Sequence, residues 1–115
     1  MKLGIVGSRT VTDYAKLVSI MALISPQGDL DLIVSGGAAG ADTLAELYAN
    51  DHHIPIKVIK PDWNKYGKQA GFMRNGDIVV ASDIILALWD GSSRGTKDTL
   101  DKAHRMKRTT IIIYM

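Results

Sequence analysis

Five short apolar runs, separated by segments of helical spacing, constrain this chain more than any other feature. The runs are Leu3–Val6, Leu30–Val34, Ile56–Ile59, Ile84–Trp89 and Ile111–Tyr114. They are continuous rather than alternating, the pattern of strands covered on both faces. Between them, Tyr14, Leu17, Val18, Met21 and Ala22 follow the i, i+3, i+4 spacing of a helix, with Thr12 or Asp13 placed to cap it. Leu44, Leu47 and Tyr48 mark a second helix, which ends before Pro55. A third is expected from about Gln69 to Ala81, across Gly71 and Gly76. A fourth runs from Thr96 to Lys107, with Leu100 and Ala103 inward and Lys102, Arg105 and Lys107 outward.

Alternation of strand and helix implies right-handed crossovers and a parallel sheet with helices on both faces. The expected fold is therefore α/β, a Rossmann-like three-layer sandwich. Its five-stranded parallel sheet takes the order 3-2-1-4-5 and carries about four helices. With 115 residues there is room for one core, so residues 1–115 read as a single domain. In such a sheet, ligands bind at the carboxyl ends of the strands, where the direction of winding reverses between the first and fourth strands.

Composition narrows the function classes. No cysteine is present, which excludes disulfides, thiolate metal sites and a Cys nucleophile, and fits a cytoplasmic location. Apolar content of 46% with 23% charged residues is that of a soluble globular chain. No apolar run approaches the roughly 20 residues that span a bilayer. Met1-Lys2-Leu3-Gly4-Ile5-Val6 enters a strand at once, so no cleaved signal is expected. A net charge of +2 is too slight to demand nucleic acid, and argues against it as the partner.

The unusual local chemistry lies where strands give way to helices. Ser35-Gly36-Gly37-Ala38-Ala39-Gly40-Ala41-Asp42 is a loop of small residues that lets a ligand reach the backbone, with amides at a helix start able to hold an anion. It lacks the Lys of a Walker loop and the spacing of a dinucleotide fingerprint. It reads equally well as a tight strand-to-helix turn. Asp42 either complements the helix dipole or meets a sugar hydroxyl.

Gly91-Ser92-Ser93-Arg94-Gly95-Thr96-Lys97 is a second such loop. Its hydroxyls, amides and guanidinium suit a phosphate, although a solvated turn with a capping hydroxyl has the same composition. Arg9, in Gly7-Ser8-Arg9 after the first strand, either reaches a ligand anion or pairs with Asp13 or Asp90. Trp63 and Tyr66 either stack a base or anchor their loop, and Arg74-Asn75 adds a cation if turned toward the crevice. His52 and His53 have no partner at metal-ligand spacing, so no metal site is expected. The basic face from Lys97 to Arg108 reads as a solvated helix surface.

The glycine loop resembles the signature of the SLOG superfamily of Rossmann-like nucleotide-binding proteins, which includes DprA, the LOG phosphoribohydrolases and YpsA. The likeness extends over Gly7-Ser8-Arg9, Asp62-Trp63, Tyr66-Gly67, Ala70-Gly71, Arg74-Asn75 and Asp90 to Thr96, and is greatest toward the small YspA-like, cpYpsA-related SLOG family. It implies a pocket for a nucleotide or nucleotide-derived ligand built from the two glycine loops. LOG enzymes carry Pro-Gly-Gly-x-Gly-Thr-x-x-Glu at the second loop; here Thr99 stands in the place of the glutamate.

The leading expectation is a nucleotide-binding module acting as sensor or sequestering protein. Amides of Gly36, Gly37 and Gly40, with Ser92, Ser93 and Thr96, would cradle phosphate, and Gly95 belongs to the same ligand-binding loop. Arg9, Arg94 and Arg74 would neutralise it, and Asp42 or Asp90 would meet ribose. The rival is an N-glycosidic hydrolase of nucleoside monophosphates, using Asp90 or Asp98. A third reading is DprA-like nucleic-acid binding through the basic last helix. A homodimer or higher homo-oligomer is compatible with each.

Overall fold

The structure, a computed structural model, describes residues 1–115. The order of elements is β1 (Lys2–Gly7), α1 (Tyr14–Ile24), β2 (Leu32–Ser35), α2 (Ala41–Asp51), β3 (Ile56–Val58), α3 (Trp63–Tyr66), α4 (Ala70–Ala81), β4 (Ile84–Trp89), α5 (Arg94–Arg105) and β5 (Thr109–Tyr114). A 3-10 turn, Gly67–Gln69, joins α3 to α4. The strands form one sheet in the order β3-β2-β1-β4-β5, and every pairing is parallel.

Two apolar layers hold the sandwich. On one face, Leu3, Ile5, Ile33, Leu86 and Leu88 pack with Leu17, Ile20 and Met21 of α1 and Leu44, Ala45 and Tyr48 of α2. On the other, Val6, Val34, Ile85 and Ala87 pack against Ile78 and Val79 of α4 and Leu100 and Ala103 of α5. The pleat sends successive residues of β4 to opposite faces, so a strand buried twice must be apolar at every position. Each fully buried Leu or Ile contributes roughly 1.5–3 kcal/mol.

The edge strands depart from that pattern. The run ending in Ile112 and Tyr114 reads as doubly covered, yet these side chains are 36% and 65% exposed. An edge strand has a neighbour on one side only, and β5 pairs with β4 alone. A continuous apolar run thus reports strand character here and overstates burial.

Helix boundaries have local causes. The Asp13 carboxylate accepts the Lys16 N–H at 3.0 Å and starts α1. The segment after Pro61, read from sequence as a polar connection, contains the single helical turn α3. There Asp62 caps by accepting the Lys65 N–H at 3.1 Å. The last helix begins at Arg94 and ends at Arg105, two residues ahead of its expected start and end. Its start is pulled forward by Asp90, whose Oδ1 accepts the amides of Ser92 (2.9 Å) and Ser93 (2.8 Å). No helix is long and apolar enough to cross a membrane.

Candidate functional site

The sheet changes its winding direction between β1 and β4, and Ser8 sutures that point. Its N–H donates to Leu88 O at 3.0 Å, and its carbonyl accepts the amides of Val11 and Ala41. Its hydroxyl accepts the Asp90 N–H at 2.9 Å. The start of α2 is pressed against this corner by Gly40, whose φ is +75°. A Cβ there would lie 2.4 Å from Ser8 O and 2.5 Å from Arg9 O, so only glycine fits.

The glycine loop after β2 is organised by two side chains from elsewhere. Asp42, 7% exposed in the first turn of α2, folds back so that Oδ2 accepts the Ala38 N–H at 3.0 Å. Arg74, half-buried on α4, donates from Nη1 to Gly36 O at 2.6 Å and from Nε to Asn75 Oδ1 at 3.0 Å. A Cβ on Gly36 would sit 2.6 Å from Arg74 Nη1 and 3.0 Å from Asp42 Oδ2. A side chain at Gly36 would thus collide with the Arg74 guanidinium and the Asp42 carboxylate. Burial raises the pKa of Asp42, against the pull of the Ala38 amide and the Arg74 charge. Burial likewise lowers that of Arg74; Asp42 opposes the shift and the nearby Arg9 charge adds to it.

The loop after β4 is arranged differently. Hydrogen bonds from the Ser92 and Ser93 amides hold the Asp90 pKa below its usual range. The Ser93 and Thr96 hydroxyls face each other at 3.3 Å, and Trp89 Nε1 donates to Ser93 O at 3.1 Å. No side chain caps α5. Its first three amides, those of Arg94, Gly95 and Thr96, have no protein acceptor. Asn75 ties the loop to α4, donating from Nδ2 to Gly95 O (3.2 Å) and Asp98 Oδ2 (3.1 Å).

These elements enclose a cavity of about 330 Å³ at the winding reversal. Of the residues singled out in the sequence, Gly7, Ser8, Arg9, Asp42, Arg74 and Asn75 line it from one side. Asp90, Ser93, Gly95 and Thr96 line it from the other. A second cavity of about 350 Å³ adjoins it, lined by Gly36, Gly37 and Trp63 with Lys60 and Pro61. Arg9, Ala38 and Arg74 line both.

Several expected contributors stand outside. Ser35, Gly40, Gly91, Ser92 and Arg94 line neither cavity. Ser35 is fully buried under the glycine loop, and Arg94 is an exposed residue in the first turn of α5. The expected phosphate cradle needs correcting as well. The Gly37 amide turns toward Ser35 Oγ at 3.5 Å, and those of Ser92 and Ser93 turn to Asp90. A carboxylate within a few residues is always at hand, whereas a ligand must be captured.

Asp98 is committed to an ion pair with Lys102 at 2.5 Å and lines neither cavity. Arg9 makes no salt bridge to Asp13 or Asp90 within 4 Å. On the basic last helix Lys97 pairs with Asp101 at 3.3 Å and Lys102 also donates to Phe72 O, while Arg105 and Lys107 have no carboxylate partner within 4 Å.

Sequence reasoning missed Thr10, Thr99, Ile78 and Lys60 as lining residues. Thr99 lies one helical turn beyond Thr96 and so on the same face, a spacing that identifies it. Lys60 directly follows the apolar run Ile56–Ile59, at the strand's carboxyl end, a position that identifies it.

An open parallel sheet in this order, with helices on both faces, defines a Rossmann-like α/β module. The model of the YspA, cpYpsA-related SLOG family matches residues 1–66, and the chain belongs to that family. It is similar to the Gene 61 protein of Mycobacterium phage D29, 34% identical over 80 residues, which are 64% of each chain. Among solved structures it is similar to DNA processing protein A (DprA) from Streptococcus pneumoniae, with a TM-score of 0.79 at 19% identity, covering 99% of this chain and 50% of that one. It is also similar to DNA processing protein A from Helicobacter pylori, described for its single-stranded DNA binding mode, with a TM-score of 0.74 at 20% identity, covering 100% of this chain and 66% of that one. The chain thus spans less than two thirds of the length of each of these proteins.

Proposed function

We propose that the cavity between β1 and β4 binds a nucleotide-type ligand, as a sensor or a sequestering protein. The observation that carries this is the convergence of two guanidiniums with uncommitted helix-start amides on one polar crevice. Arg9 and Arg74 line it beside Gly95 and Thr96, and the first amides of α5 have no internal acceptor. Such amides, aided by the helix dipole, favour an anion. Asp90 is ionised and exposed, suited to accept hydrogen bonds from ribose hydroxyls.

A hydrolytic role has weaker support. Thr99, whose hydroxyl donates to Gly95 O at 3.1 Å, occupies the position of the LOG glutamate, and Asp98 is held by Lys102. The test is calorimetry with AMP, ADP and ADP-ribose. Saturable binding that weakens about tenfold or more with Arg74→Ala is expected. Silence across the panel overturns the reading, and release of free adenine from AMP favours the hydrolase.

Single-stranded DNA binding is a second reading, favoured by a specific surface. Trp63, Tyr66 and Phe72 are all exposed on α3 and α4, close in sequence to Lys60, Lys65 and Lys68. Aromatics interleaved with cations form stacking platforms for single strands. Affinity for a single-stranded oligonucleotide that falls steeply with salt supports this reading; weak, flat binding removes it.

A further inference from the structure

The two adjoining cavities differ in charge. That at the winding reversal is lined by Asp42 and Asp90 as well as by Arg9 and Arg74. The other is lined by Arg9, Lys60 and Arg74, with no carboxylate. Anionic density is therefore best placed where they meet, and sugar hydroxyls best placed toward Asp90. Both arginines stand at the junction, close enough for the Arg9 charge to lower the basicity of Arg74. An anion lodged between them relieves that repulsion.

The second cavity also has a flat apolar wall. Trp63 is 56% exposed, its ring edge resting over Gly71, where a Cβ would meet Cη2 at 3.5 Å. The Lys60 stem crosses Gly37 opposite, at 3.3 Å from the position of a Cβ there. A ring left open beside three cations, in a space of about 350 Å³, matches a second aromatic base rather than a mere phosphate tail.

We propose that the two cavities hold one ligand made of two nucleoside-sized bodies joined by a phosphate linkage, the linkage lying between Arg9 and Arg74 and one base stacking on Trp63. This rests on the nucleotide reading above and adds the size and linkage of the ligand to it. The linkage is either a single phosphodiester or a pyrophosphate.

Calorimetry on the full chain tests it with four probes: AMP, the 3′,5′-linked dinucleoside monophosphate ApA, diadenosine 5′,5′-diphosphate, and a ten-nucleotide single strand of deoxyadenosine. At least one of the two dinucleotides is expected to bind about tenfold or more tightly than AMP, and which one does so identifies the linkage. In Trp63→Ala the ratio of dinucleotide to AMP affinity falls to about one. Circular dichroism checks that this exposed substitution leaves the fold intact.

Equal affinity for AMP and both dinucleotides, or a ratio that survives Trp63→Ala, overturns the inference and leaves the nucleotide reading standing. No binding by any small probe overturns both. Binding of the ten-nucleotide strand alone, weakening steeply with salt, replaces the compact ligand with single-stranded DNA.

Discussion

The two loops rich in small residues look alike in sequence and are held in different ways. In the loop after β2, the Asp42 carboxylate accepts the Ala38 amide and Arg74 binds the Gly36 carbonyl, so a cation from α4 is fixed against the loop. In the loop after β4, Asp90 consumes only the Ser92 and Ser93 amides and leaves those of the first helical turn uncommitted. The first loop is a structural clamp that places Arg74; the second is the open donor surface. Glycine content alone does not distinguish a ligand cradle from close packing. What distinguishes the two loops is the group that binds each one's carbonyl: the Arg74 guanidinium on Gly36 of the first, the neutral Asn75 amide on Gly95 of the second.

The largest expected effect breaks the clamp at its base. Gly40→Ala drives a Cβ into the backbone of Ser8 and Arg9 at a positive φ, so a loss of roughly 2–4 kcal/mol is expected in urea denaturation. A midpoint unchanged from the parent would mean that the corner relaxes and the clamp is loose.

Arg74→Met comes next. It leaves the buried Asp42 carboxylate without its cation and Gly36 O without its donor, for an expected loss of about 1–3 kcal/mol. The sign of the accompanying pH effect follows from Asp42, whose pKa is already raised. Stability present below the ordinary aspartate range is lost as pH rises through that raised value. Removing the Arg74 charge raises it further, so the variant gains relative stability as pH falls. A parallel pH profile for parent and variant would detach Arg74 from Asp42.

Asp90→Asn probes the open loop. The lowered pKa of Asp90 means stability that is present above the ordinary aspartate range and lost as pH falls through its folded value. The variant should therefore flatten the acid limb of a melting-temperature profile below about pH 4. The smallest effect belongs to Gly95→Ala, where a Cβ meets nothing within 4 Å. In the first turn of α5 it should be neutral or stabilising by about 0.5 kcal/mol. A large loss at Gly95 would erase the contrast with Gly40.

Much of the fold was legible because its signals are local or periodic. β4 was readable to the residue, since a doubly covered strand must be apolar throughout. The 3-2-1-4-5 order is one of the few that alternation and crossover handedness allow, and it is the one the sheet has. The site was legible as a set of strand ends, and Arg9, Asp90, Ser93, Gly95 and Thr96 do line one cavity. Arg94 was not distinguishable from Arg74 by composition: both are arginines beside glycine-rich segments. One lies exposed at a helix start, and the other reaches across 38 residues of chain to a carbonyl. Asp98 looked like a spare carboxylate until Lys102 and Asn75 were set beside it.

By itself the sequence determined the strands, the parallel sheet, the family, and the corner at which chemistry concentrates. These depend on residues a few positions apart and on a handedness common to all L-polypeptides. Only the tertiary structure decided which amides remain available, which arginine faces the cavity and which carboxylates are already satisfied. Each of those outcomes depends on a charged group delivered by a different element, and the separation along the chain carries no record of that meeting.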